Sequence, residues 1–412
     1  MEKRYRIDIP LPKEVQLALD VLDAKGYRAF IVGGAVRDTL LRRPVHDFDI
    51  ATPSTPNQTM SCFPGFNISK AGKKHGTVTV IIHDHPVDIT TFRIEGEYRD
   101  HRHPDSVSFT TQVEQDSSRR DFTINGLYYR SGEVFDFHDG VDDMKAHLIR
   151  AINDPDARFD EDALRILRGL RFACELDFSI EEKTREAMAR KAKLLFDISS
   201  ERIEAEIIRM ASYQTFYTCI KENREVFLAV FDMLPESFIE RLPKRADTDP
   251  YANIAGIFAA ADTAPELAYE ALMKLRFSRS GAQAIQKLLS IDSSFTIQSV
   301  QDDLVFRRLL LDSDPLNPEV VIRYLILRDE IYQRNISNAE EVLTKAQNAE
   351  LMLAIPSSLS ELKVTGHDLT RLGCKPGPLF KQILEELLFN VNQLRVPNER
   401  KAQLEWLKKK IR

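Results

Sequence analysis

At 412 residues, with 43% apolar side chains and only 16 Gly and 19 Pro, the chain is a folded protein of two to four structural units rather than a disordered one. Its net charge of −6 argues against a uniformly basic nucleic-acid binder, yet 57 Lys and Arg are enough to build one basic face. Four scattered cysteines without a CxxC pair exclude a zinc ribbon or thioredoxin-type site. With no signal-type start and no apolar run near the roughly 20 residues of a membrane span, reduced thiols, cytoplasmic location and no membrane partner are expected.

The first third mixes strand and helix signals. Val15 to Lys25 has the spacing of an amphipathic helix, and Arg28 to Val32 is a short apolar strand ended by Gly33-Gly34. Ala35 to Arg42 reads as a short helix and His46 to Ile50 as a second strand. Thr77 to Ile82 and Val87 to Phe92 are β-branched runs around His83-Asp84-His85-Pro86, which predicts a hairpin. Leu127 to Arg130 and Glu133 to Phe137 flank Ser131-Gly132 and predict another. After about residue 150, strand signals become rare. Helices are predicted over Asp160 to Glu175, Ala205 to Met210, Pro265 to Leu275, Pro318 to Ile336 and Leu379 to Gln393. The fold class is therefore α+β, with a mixed head followed by a long helical extension.

Three clusters carry candidate chemistry. Strand alternation puts Asp47 and Asp49 on one face with Phe48 opposite. Two such carboxylates repel each other unless they share a hard cation such as Mg²⁺. Asp88, inside an apolar strand, is the candidate third acid of a two-metal site for nucleotidyl transfer. Gly33 and Gly34 let backbone N–H groups approach a phosphate, the following helix offers its positive end, and Arg37 adds a charge-assisted contact. Either motif alone is commonly a plain turn or a solvated edge; turn, helix and DxD strand in that order are specific.

The second cluster is Arg119-Arg120-Asp121, read either as a charged helix start or as guanidinium groups for phosphate and ribose oxygens. The third is Glu161-Asp162-Ala163-Leu164-Arg165. On one continuous helix Glu161, Asp162, Arg165 and Arg168 share a broad face, with Ala163, Leu167, Leu170 and Cys174 on the apolar side. Gly169 opens that face to a flat object. Two readings stand for Glu161 and Arg165: an ordinary i,i+4 ion pair, or part of a base-reading surface.

Taken together, Ile31 to Asp38, Asp47-Phe48-Asp49, Thr90 to Arg93, Arg119 to Asn125 and Arg158 to Arg165 resemble the signature of class II tRNA nucleotidyltransferases. These are the CCA-adding and bacterial poly(A) polymerase branch of the polymerase-β superfamily. The resemblance is dense over residues 28 to 180, with an echo at Thr365 to Leu369 and Lys375 to Pro378. It implies a polymerase-β-like head with a small mixed sheet (1–150), a base-reading neck (151–212), and a body (213–330) and tail (331–412) that grip tRNA. Asp47 and Asp49 would hold Mg²⁺, with Asp88 beside them as a catalytic acid. Gly33, Gly34, Arg37 and Asn125 would contact the nucleotide, and Arg119 and Asp121 would help select a ribonucleotide. Asp162 and Arg165, positioned by Glu161 and flanked by Arg168, would pair with the base of CTP or ATP.

Gly96 to Arg102 resembles the flexible loop tied to switching from C to A addition, which argues against an enzyme limited to CC. Gly126 departs from the Ala more common in the family, without touching a chemical role. His138-Asp139 and His367-Asp368 are not placed like a phosphohydrolase domain. The expected activity is template-independent addition of C, C and A to the 3′ end of tRNA, by a monomer or homodimer. The alternatives are an A-adding specialist or poly(A) polymerase, a small-molecule nucleotidyltransferase, and a non-catalytic RNA-binding protein. The basic end Lys408-Lys409-Lys410 reads as a solvated face.

Overall fold

The structure, a computed structural model, describes residues 2–45, 47–95, 107–349, 356, 358–375, 377–392 and 395–411. The loop reading at Gly96 to Arg102 and the His46 start of the second strand lie outside them. The chain divides into two compact units, one built mainly from Met1–Glu240 and the other mainly from Asp249–Tyr269 and Arg279–Arg412.

The first unit carries a mixed sheet of eight strands. In chain order the strands are β1 (Lys3–Arg6), β2 (Phe30–Val32), β3 (Asp49–Thr52), β4 (Asn67–Ser69), β5 (Thr77–Ile82) and β6 (His85–Thr91). A separate two-stranded ribbon, β7 (Arg93–Glu95) with β8 (Val107–Phe109), precedes β9 (Leu127–Arg130) and β10 (Glu133–Asp136). The sheet order is β1-β10-β9-β2-β3-β6-β5-β4, and only the β3–β6 pair is parallel. Both predicted hairpins form. Each turns on two residues with positive φ, His83-Asp84 and Ser131-Gly132, as a tight hairpin of this hand requires. β10 ends one residue before the prediction because the buried Asp136 carboxylate accepts the N–H groups of His138, Gly140 and Val141 at 3.1, 3.0 and 2.9 Å. Phe30, Val32, Ala51, Phe92, Tyr128 and Phe135 form a core cluster of the sheet, with Phe30 and Phe135 edge to face at 5.4 Å.

Around the sheet lie α1 (Lys13–Ala24), α2 (Gly34–Leu40), α3 (Pro56–Cys62), α4 (Val113–Ser118) and α5 (Gly140–Lys145). A helical layer follows: α6 (Pro155–Glu161), α7 (Leu164–Leu176), α8 (Glu182–Lys191) and α9 (Ser200–Ala211). The single helix predicted over Asp160 to Glu175 is thus two helices. The chain leaves helical geometry at Asp162 (φ −139°, ψ 101°), whose Oδ1 accepts the Leu164 N–H at 3.1 Å. An aspartate that bonds the backbone two residues on competes with the helix and starts a new one, which periodicity alone does not report. The apolar stripe survives the break: Ala163, Leu167, Leu170 and Cys174 are all buried.

The second unit is helical among its described residues. Pro250–Ala260 is buried on nearly every face, which its Ala- and Ile-rich sequence allows. Pro318–Ile331 is capped by Asn317, whose side chain accepts the Glu319 N–H at 2.8 Å, and it ends five residues before the prediction. Pro378–Asn392 and Arg400–Ile411 close over Leu362, Val364, Leu369, Ile383, Leu387 and Leu407. No helix among the described residues is long and apolar enough to cross a membrane. Cys62, Cys174, Cys219 and Cys374 are all free thiols.

Candidate functional site

The site grows from the end of β2. Gly33 has φ +70°, a region that L side chains avoid, and a Cβ there would stand 3.3 Å from Arg120 Nη1. This glycine keeps the turn close to a guanidinium. α2 begins at Gly34, and β3 runs antiparallel beside β2 with Val32 opposite Asp49. The strand starts at Asp49, so Asp47 and the half-buried Phe48 precede it rather than belonging to it. Asp47 and Asp49 nevertheless line one cleft of about 400 Å³ with Gly33, Gly34, Arg37, Asp121, Asn125 and Arg168.

The wall of that cleft is a continuous polar chain. Arg37, buried, donates from Nε and Nη2 to Asp38 at 2.8 and 3.0 Å and from Nη1 to Asn125 Oδ1 at 2.9 Å. Arg37 therefore braces the wall more than it projects from it. Asn125 Nδ2 donates to Asp121 Oδ1 at 3.1 Å, and Arg168 donates from Nε and Nη2 to Asp121 Oδ2 at 2.8 and 2.5 Å. Burial on its own would raise the Asp121 pKa. The Arg168 charge and the bonds from Arg168, Asn125 and the Phe122 N–H overcome it and hold the carboxyl well below the usual range. Arg119 and Asp121 do not start a helix: Arg119 ends α4, and Thr123–Asn125 form a 3₁₀ turn.

Asp49 behaves in the opposite way. Although the residue as a whole is exposed, loss of water around its carboxyl against the cleft wall raises its pKa, Asp88 and Asp47 add repulsion, and Arg120 opposes the shift. Asp88 stands on β6, next to β3, where it accepts from Thr79 Oγ1 at 2.5 Å. It shares with Asp47 and Asp49 an adjoining recess of about 730 Å³ that also holds Glu14 and His85. Among the described residues, no three His, Cys, Asp or Glu side chains are gathered closely enough to hold a metal ion alone. The donor set still suits Mg²⁺, which binds through one or two carboxylates together with substrate phosphates rather than in an all-protein cage.

Arg119, Glu161, Asp162 and Arg165 line neither space. Arg119 Nε donates to the buried Asp116 at 2.9 Å, and its carbonyl accepts Arg165 Nη2 at 2.9 Å. Arg165 Nη1 donates to Glu161 Oε2 at 2.6 Å and to the Arg158 carbonyl at 3.0 Å, so the i,i+4 pair forms across the helix break. Asp162 Oδ2 accepts from Arg202 Nη2 at 2.9 Å.

The cleft also holds Arg120, which the second sequence cluster contained, and residues that the sequence reading left out: Arg171, Phe172, Glu175 and Arg209. Arg171 and Glu175 follow Arg168 at helical spacing, a legible signal; Arg209 arrives from α9, which no local pattern shows. Arg120 is held from behind. Its Nε donates to the Tyr128 hydroxyl at 2.9 Å, and that hydroxyl donates to Asp116 Oδ2 at 2.5 Å.

Gly169 faces protein, not a ligand. A Cβ there would meet the Met188 methyl and stand 2.9 Å from Phe122 Cζ. Gly169→Ala is expected to destabilise the first unit by about 1–3 kcal/mol through overpacking. Urea unfolding checks this, and an unchanged midpoint would show that the two side chains yield freely.

Comparison with known proteins agrees with this architecture. Residues 29–150 match the poly A polymerase head domain, and residues 252–407 match tRNA nucleotidyltransferase domain 2. The CCA-adding enzyme of Streptococcus gordonii is 35% identical over 419 residues, covering 97% of this chain and 98% of that protein. That of Enterococcus faecalis is 34% identical over 414 residues, covering 96% of each. The crystal structure of the Bacillus stearothermophilus CCA-adding enzyme in complex with CTP superposes with a TM-score of 0.67 at 25% identity, covering 97% of both chains. The Thermotoga maritima CCA-adding enzyme complexed with tRNA has a TM-score of 0.64 at 20% identity, with 99% of each chain covered, and shares the fold. Full-length similarity of this order, on a head that sets paired aspartates beside a Gly-Gly turn, places the chain in the CCA-adding enzyme family of tRNA nucleotidyltransferases.

Proposed function

We propose that this protein adds C, C and A to the 3′ end of tRNA from CTP and ATP, without a template and with release of pyrophosphate. The observation that carries the reading is the cleft in which Asp47 and Asp49 face a Gly-Gly turn, Arg120 and Arg168. Gly34 offers its backbone N–H to the triphosphate, Gly33, whose own N–H donates to the Leu127 carbonyl at 3.3 Å, leaves room for the close approach, and Arg120 meets the negative charge. Asp47 and Asp49 would hold Mg²⁺, and Asp88 would add its charge to the field that draws the cation in. When bound, the cation neutralises charge on the attacking and leaving oxygens. The tRNA 3′ hydroxyl oxygen bonds to the α-phosphorus as its proton is lost to solvent, the bond from that phosphorus to the α,β-bridging oxygen breaks, and pyrophosphate leaves.

Asp121 and Asn125 serve the ribose side of the cleft, with Arg37 bracing the wall, and Arg119, which lines neither space, supports them through its ties to Asp116 and Arg165. Arg168 fixes Asp121. Asp162 and Arg165 read the base, and Glu161 holds Arg165. Residues 1–150 serve as the head, 151–212 as the base-reading neck, and 213–330 and 331–412 as body and tail along the tRNA. Shape and backbone recognition suit duplex RNA, whose base edges are hard to reach.

The test incubates purified protein with tRNA lacking CCA, Mg²⁺, and CTP and ATP together or singly, and sequences the products. Two C and one A are expected, with no long A tract. Extension by A alone on tRNA ending in CC would identify an A-adding enzyme instead, and no extension would overturn the proposal.

A further inference from the structure

The ion pair between Asp162 and Arg202 has no part in the chemistry above, yet it meets the residue to which base reading is assigned. Both oxygens of Asp162 are held: Oδ1 by the Leu164 N–H at 3.1 Å, and Oδ2 by Arg202 Nη2 at 2.9 Å. The two donors come from different elements, so the plane of the carboxylate is set by how α9 lies on α7. That seating is itself fixed. Glu206, one turn after Arg202 on the same side of α9, accepts from Arg171 Nε at 2.7 Å and lies 4.0 Å from Arg168 Nη1. Arg202 Nη1 is buried without a hydrogen-bond partner among the described residues.

We propose that Arg202 is a positioning residue for base selection: it pins the Asp162 carboxylate in the orientation that accepts an exocyclic amine. The inference rests on the reading above in which Asp162 contacts the base. Cytosine and adenine carry an amino donor where uracil and guanine carry a carbonyl acceptor. A carboxylate is an acceptor only, so a fixed one attracts the amine and repels the carbonyl oxygen. A carboxylate free to turn removes the repulsion more readily than it loses the attraction. Loss of Arg202 therefore raises use of UTP and GTP more than it lowers use of CTP and ATP.

The experiment measures kcat/KM for CTP and UTP on tRNA lacking CCA, and for ATP and GTP on tRNA ending in CC. Arg202→Gln is expected to lower both preference ratios by about tenfold, the scale of one lost discriminating contact. Arg202→Lys keeps the charge but not the planar fork, and is expected to lower them by about threefold. Asp162→Asn lowers them as well, and adding Arg202→Gln to it changes them no further, as expected of a residue acting through Asp162.

Unchanged ratios in Arg202→Gln, with a loss in Asp162→Asn, overturn the role of Arg202 and leave that of Asp162. Unchanged ratios in Asp162→Asn overturn both roles, and a wild-type protein that transfers nothing overturns the activity itself. Should Arg202→Gln fail to fold, Arg202→Lys decides alone, and an unchanged ratio there overturns the proposal.

Discussion

Asp47→Ala and Asp49→Ala are each expected to lower the rate of nucleotide transfer by about 10³-fold or more, the scale seen when a group aimed at transition-state charge is removed. The affinity for tRNA should change little, because neither carboxylate is needed to grip RNA phosphates. Single-turnover transfer and a filter-binding titration separate the two quantities. Substantial transfer by either variant would remove the metal assignment, and a parallel loss of tRNA binding would place these acids in the RNA interface instead.

The same pair has a thermodynamic signature. Asp49 has a raised pKa because loss of water around its carboxyl, Asp88 and Asp47 all disfavour its charged form against the pull of Arg120. For an acid shifted this way, the protonated form is favoured by the fold. Its stabilising contribution is complete below the unfolded value near 4 and is lost as pH rises through the raised folded value. At neutral pH without Mg²⁺, Asp49→Asn should therefore melt higher than the wild type. Added Mg²⁺ should raise the wild-type melting temperature and leave Asp49→Asn nearly unmoved. Equal responses to Mg²⁺ would place the cation elsewhere.

Arg168→Met is the second large effect, and it falls on stability. Asp121 is 8% exposed, and Arg168 donates to it twice. Removing the cation leaves a buried carboxylate with only Asn125 and a backbone N–H. Breaking a buried pair in this manner costs about 3–5 kcal/mol; because the Arg168 side chain is 34% exposed, solvent screening brings the expected loss to about 2–3 kcal/mol. The lowered pKa of Asp121 gives the pH dependence. Its stabilising contribution is present above the unfolded value near 4 and is lost as pH falls toward the depressed folded one, so wild type and variant should converge in acid. Urea midpoints at pH 7 and pH 3 check both statements. A constant difference between the two proteins would assign the loss to packing against Phe172 rather than to charge.

Much of the head was legible because its signals are local. Ser131-Gly132 and His83-Asp84 turn the chain with their own dihedral preferences, the β-branched run Thr77 to Ile82 alternates as a half-buried strand, and Gly33 admits a φ that other residues avoid. The pairing of Asp47 with Asp49 needed only their spacing, and eight of the proposed site residues meet in one cleft. The break at Asp162 was not legible, because an apolar period runs through it unchanged while a side-chain bond to the Leu164 N–H and the Arg202 pair decide the backbone. Gly169 was misread for a related reason: the space it leaves is filled by Phe122 and Met188, one from before and one from after its own helix. Arg120 was visible as a charge but not as a fixed one, since Tyr128 and Asp116 reach it from other elements. Residue types and their spacing told which chemistry this chain can perform. Which guanidinium is aimed and which is spent on a buried partner was decided by contacts distant in the chain, because a charge in a dry wall is settled by whatever the fold brings against it.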